Sequence, residues 1–161
     1  MMILKSGPFR VNRWWVLACL LGLFSLPVQG SEDLKGSADD KPFAEARVVL
    51  QLSDGGKESQ ARVLSVANNL IKHYGGPDFI DIEIVAFGPG LELLYADGAN
   101  LERITSLAAN GVRFVGCMNT LDTIERTTGN RPELTPLAIP VQTGVAHVVE
   151  RVSQGFILVK P

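Results

Sequence analysis

The stretch Arg47-Val48-Val49-Leu50-Gln51-Leu52-Ser53-Asp54-Gly55-Gly56, continued by Lys57 to Tyr74 and closed by Gly75-Gly76-Pro77, decides the fold. Val48, Val49 and Leu50 stand together, as in a strand that is covered on both faces. Ser53-Asp54-Gly55-Gly56 supplies turn chemistry. Val63, Leu64, Ala67, Leu70, Ile71 and Tyr74 then recur at helical spacing. The Gly-Gly-Pro run stops that helix. A buried strand, a tight turn and an amphipathic helix in succession are the start of a parallel α/β arrangement.

The same alternation continues outward from this unit. Ile80 to Phe87 reads as a second strand that ends at the turn Gly88-Pro89-Gly90. Leu91 to Tyr95 makes a short helical turn. Leu101, Ile104, Leu107 and Ala108 share one face of a helix that Asn110-Gly111 ends. Val112 to Gly116 is a third strand with Cys117 at its exit. Asn119 or Thr120 is expected to cap the next helix, which ends by Gly129. A proline-rich loop, residues 130–136, leads to a fourth strand, Leu137 to Val141. Thr143 caps a helix carrying Val145, Val148, Val149 and Val152, and Phe156 to Val159 forms the last strand. The expected fold is a three-layer α/β/α sandwich with a mostly parallel five-stranded sheet.

The N-terminal part is set apart by composition. Lys5, Arg10 and Arg13 precede an apolar run from Trp14 to Val28, and Val28-Gln29-Gly30 suits cleavage after Gly30. That is the pattern of a signal peptide over 1–30. The run is about fifteen residues, against roughly twenty for a membrane span, so no stable membrane insertion is expected after cleavage. Val16-Leu17-Ala18-Cys19 matches a lipoprotein signal poorly, because Leu17 is bulky. Residues 31–45 are polar and read as a flexible linker, leaving 46–161 as the domain. The expected location is periplasmic or otherwise exported.

The chain has 161 residues, 46% of them hydrophobic and 20% charged, enough for one globular core. Removing the leader takes away three basic residues and no acid, moving the net charge from -2 to -5. That balance gives no basic field for nucleic acid. One cysteine, Cys117, then remains. In an exported chain it must be buried, joined to another chain, or kept reactive.

Candidate chemistry gathers at the expected carboxyl ends of the strands: Ser53 to Gly56, Gly88 to Gly90, and Cys117 to Thr120. Cys117 lies between a strand end and a helix start, where backbone N–H groups and the helix dipole favour an anion. Asp54-Gly55-Gly56-Lys57 lacks the spacing of a P-loop, and no Gly-x-Ser-x-Gly motif is present. His73 and His147 are isolated and read as structural histidines. Asp81 and Glu83 share one strand face and read as a solvated or interface edge. No cluster has metal-ligand spacing, and nothing calls for a cofactor.

From about residue 46 to 161 the chain resembles the exported branch of the DsrE/DsrF-like family. The resemblance rests on Arg47 to Leu52, Ile84 to Gly90, Gly111 to Leu121, and Gly144 to His147 with Gly155 to Pro161. It implies an α/β sandwich assembled as a homotrimer or hexamer. It also implies sulfur handling through a cysteine persulfide, with Cys117 in that role and a sulfur donor or acceptor protein as partner. On this reading Gly88 and Gly90 shape the pocket, and backbone N–H groups near Met118 and Asn119 hold the anionic sulfur. The run Met118-Asn119-Thr120-Leu121 departs from the alanine-rich helix start of sulfur-relay members. The alternative reading is a non-catalytic oligomeric module that binds a ligand or protein, with Cys117 as a buried structural residue.

Overall fold

The computed structural model describes residues 41–161; the expected signal peptide, its Cys19 and most of the expected linker lie outside them. Five strands, β1 (Ala46–Leu52), β2 (Ile80–Ala86), β3 (Arg113–Cys117), β4 (Ala138–Val141) and β5 (Ile157–Val159), form one sheet. Its order is β4-β3-β2-β1-β5, and every neighbouring pair is parallel. Four helices alternate with the strands: α1 (Lys57–His73), α2 (Leu101–Ala109), α3 (Met118–Thr128) and α4 (Gly144–Ser153). The turn expected after β2 is a 3-10 segment, Gly88–Leu94.

The strand order explains the layers. The first three crossovers step in one direction across the sheet, so right-handedness puts α1, α2 and α3 on one face. The last crossover returns from the β4 edge to the β5 edge and puts α4 on the other face. Val63, Leu64 and Ala67 of α1, Ile104 and Leu107 of α2, and Leu121 of α3 pack on Val48, Leu50, Ile82, Ile84 and Phe114. Beneath α4 the buried apolar cluster is small: Val49, Val85, Val115, Val148 and Phe156. The chain is thus a three-layer sandwich with unequal outer layers.

Two local expectations change. Residues 41–45, the described end of the expected linker, are tied to the domain. Lys41 Nζ donates to the carbonyls of Pro77 (2.8 Å) and Ile80 (3.0 Å), and Glu45 N–H donates to that of Phe79 (2.9 Å). Asp81 and Glu83 are not at an edge, because β2 is the central strand and all seven of its residues are buried.

Candidate functional site

Cys117 ends β3 and occupies the N-cap position of α3. It is the free cysteine of the described residues and is 5% exposed. Side chains alternate along a strand, so Cys117 shares the α4 face with Val115 and Arg113. The N-terminus of α4 comes down onto its sulfur. Gly144 N–H donates to Cys117 Sγ at 3.2 Å, and Sγ lies 3.7 Å from the Gln142 carbonyl that accepts from it. A Cβ on Gly144 would lie 3.1 Å from Cys117 Cβ and 3.3 Å from Phe87. Glycine is what lets the helix end approach this closely.

The exposed pair Gln142 and Thr143 covers the thiol. Asn119 holds that cover. Its N–H donates to the Gln142 carbonyl (3.0 Å), and its Nδ2 donates to Thr143 Oγ1 (2.9 Å). Gln142 Nε2 donates in turn to Asn119 Oδ1 at 2.6 Å. This accounts for two departures from expectation. Helix α3 starts at Met118 with no side-chain cap, because the Gln142 carbonyl takes the Asn119 N–H that a capping side chain would satisfy. The N–H on the sulfur is therefore that of Gly144, not of Asn119. Met118 is half-buried against the large apolar cluster.

The three strand exits do meet. A Cβ on Gly55 would lie 3.0 Å from Pro89 Cβ, and Gly88 N–H donates to Thr120 Oγ1 at 3.0 Å. Gly90 is buried under β1, where a Cβ would clash with the Leu52 carbonyl oxygen at 2.3 Å. It shapes the backbone and touches no open space. Gly88 and Asn119 line a groove of about 630 Å³ between the 3-10 segment and α3, together with Glu92, Tyr95 and Thr123. Cys117 is not in that groove; it lies under the β4–α4 connection.

No protein-family model matches the chain, and no curated protein matches it. It is similar to a solved structure of a protein of unknown function from Methanobacterium thermoautotrophicum. The two are 28% identical, with a TM-score of 0.64, over 73% of this chain and 100% of the other. That neighbour has the same class of fold. Among the described residues, no helix is long and apolar enough to cross a membrane. Nor does any group of three or more His, Cys, Asp or Glu residues there have an arrangement that could hold a metal ion.

Below Cys117 on the same face lies a buried charge network of residues that stand far apart in the sequence. Glu83 is 1% exposed. Its Oε2 accepts from Arg151 Nε at 2.7 Å and from His147 Nε2 at 3.0 Å. A carboxylate can only accept, so His147 carries its proton on Nε2. Glu83 Oε1 lies 3.3 Å from both Arg113 Nε and Arg151 Nη2. Burial pushes the Glu83 carboxyl up. The bonds and charges of His147 and Arg151 outweigh burial and bring it from 4.5 down to about 2. Arg113 Nη2 is 2.8 Å from Asp81 Oδ1. That contact is an ion pair without hydrogen-bond alignment, since Asp81 Oδ1 has no bonded partner. Gly144, His147, Val148 and Arg151 form one stripe of α4, at the i, i+3, i+4, i+7 spacing of a single helix face. Glu83 therefore grips the stripe whose first residue touches Cys117. The readable signal was the period-2 Asp81/Glu83 pair opposite the His147/Arg151 pair at helical spacing.

Proposed function

We propose that this protein is an exported sulfur carrier of the DsrE/DsrF-like kind, with Cys117 as the thiol that takes up sulfane sulfur. The observation that carries the reading is the Gly144 N–H at the start of α4, directed at Cys117 Sγ from 3.2 Å. An N–H at a helix N-terminus is a favourable partner for anionic sulfur. The step is a thiol–polysulfide exchange. The Cys117 thiolate attacks a sulfane sulfur of a polysulfide, a new S–S bond forms, and the S–S bond of the donor breaks. The donor leaves with the electron pair as a shortened anion, and Cys117 carries a persulfide. Uptake requires Gln142 and Thr143 to move aside.

The assembly proposed with this function is a homotrimer or hexamer. Its support is the outer stripe of α4, where Val145, Val149 and Val152 are 53%, 65% and 44% exposed. Contiguous exposed apolar surface of this kind marks interaction sites.

The burial of Cys117 favours a second reading, an oligomeric binding module in which the thiol is core. One experiment separates the two. The intact mass of the protein is measured after exposure to polysulfide, beside Cys117→Ser. A gain of sulfur atoms that a reductant reverses, absent in the variant, is expected. No gain, with a thiol that reacts only after unfolding, would transfer the conclusion to the binding module.

A further inference from the structure

The groove between the 3-10 segment and α3 has a chemistry of its own. Its volume of about 630 Å³ lies within the range of small-molecule sites, roughly 300–1,000 Å³. It opens at the carboxyl ends of β2 and β3, where open parallel sheets bind ligands. Pro89 and Ile124 give it apolar surface, and Tyr95 adds an aromatic ring. Glu92 is exposed there and has no ion-pair partner among the described residues.

Glu92 and Asp97 bring negative charge to the Tyr95 end of the groove. Burial pushes the Tyr95 phenol up, and the carboxylates of Glu92 and Asp97 push it further in the same direction. A cation, Arg126, touches the opposite wall, where its Nη2 donates to Thr123 Oγ1 at 3.1 Å; it makes no ion pair with Glu92. An uncompensated carboxylate beside an aromatic ring and apolar side chains suits a positive charge on an apolar body.

Asn119 joins this groove to the thiol. It lines the groove, and its carboxamide holds Gln142 and Thr143 over Cys117. Its Oδ1 accepts one bond, from Gln142; the oxygen has two lone pairs, and a charge-assisted N–H donor from a cation weakens the Gln142 bond by drawing on the same atom. We propose that the groove binds a small organic cation with an apolar body, and that the occupant loosens the cover over Cys117 by weakening the Gln142 bond to Asn119 Oδ1. The regulatory meaning of this step rests on the sulfur-handling reading, whereas the binding and the exposure of the thiol do not.

Benzylammonium is the probe, with benzyl alcohol and benzoate as neutral and anionic counterparts. In amide NMR spectra, benzylammonium should give saturable shifts at Gly88, Asn119, Thr120 and Thr123. Benzyl alcohol should bind at least about tenfold more weakly, the scale of one charge-assisted bond, and benzoate should not bind. Glu92→Gln should weaken the amine by a similar factor. Saturating amine should also speed iodoacetamide alkylation of Cys117 in the folded protein. Asn119→Ala, or Gln142→Ala as a second variant on the same bond, should speed it without amine.

Equal binding of the amine and the alcohol, or no saturable shift, overturns the site. Amine binding that leaves the alkylation rate unchanged overturns the coupling through Asn119. Alkylation does not depend on sulfur chemistry. A failed polysulfide loading with this response intact would therefore count against the sulfur carrier and not against the groove.

Discussion

The two faces of the sheet are built differently from one strand. β2 sends Ile80, Ile82, Ile84 and Ala86 into the face covered by three helices, and Asp81, Glu83 and Val85 into the face covered by α4. The crowded face holds large apolar side chains such as Phe114, Leu50 and Leu64, all buried. Area removed from water holds it together, and that force has little direction. The α4 face has a single short helix and few buried apolar residues. Directional, charge-assisted bonds from His147 and Arg151 to Glu83 fix where that helix lies. The contrast teaches that one face supplies bulk stability, while the other sets the position of a helix end. That end carries the Gly144 N–H on Cys117.

The largest expected effect tests this division directly. Glu83→Ala leaves Arg151 facing a buried gap without a counter-charge and Arg113 with Asp81 alone, and should cost about 3–5 kcal/mol in denaturant unfolding. Leu64→Ala, on the crowded face, should cost about 2–5 kcal/mol by leaving a cavity. The variants should part in a second readout. Alkylation of Cys117 in the folded protein should rise for Glu83→Ala, because the end of α4 loosens, and should stay unchanged for Leu64→Ala. An equal response in both would break the comparison.

Acid provides the next test. The folded Glu83 carboxyl is lowered from 4.5 to about 2. The stability it contributes is therefore complete above about pH 4.5 and drains away as the pH falls toward 2, an effect of about 3 kcal/mol. The stability gap between the native chain and Glu83→Gln should narrow across that window, and the gap to Leu64→Ala should not. Two gaps that move in parallel would assign the acid response to another group.

The smallest effect on folding comes from the outside of α4. Val149→Ser changes a side chain that is 65% exposed, so the stability of the single chain should change by within about 0.5 kcal/mol. Light scattering over a dilution series should nevertheless show a weakened assembly. A native chain that is monomeric at micromolar concentration would remove the oligomer from the proposal.

The fold was legible because its signals are local. The strand runs, Gly-rich turns and helical stripes follow one another along the chain, and all five strands and four main helices lie where those patterns put them. The meeting of Gly55, Gly88 and Thr120 followed from the rule that strand exits share one edge. Asp81 and Glu83 look like a solvated or interface edge in the sequence because alternation alone does not say whether the polar face meets water or buried cations. The partners, His147 and Arg151, stand 64 and 68 residues from Glu83.

By itself, then, the sequence determined the element order, the parallel sheet and the place of Cys117 at a strand exit. Periodicity and turn chemistry act between near neighbours, and a strand followed by a helix has few ways to pack. Tertiary structure alone decided which N–H faces the sulfur, what covers it, and which charges pair beneath α4. Those contacts depend on the last crossover, which brings α4 back under the whole sheet and joins residues that are distant in the chain.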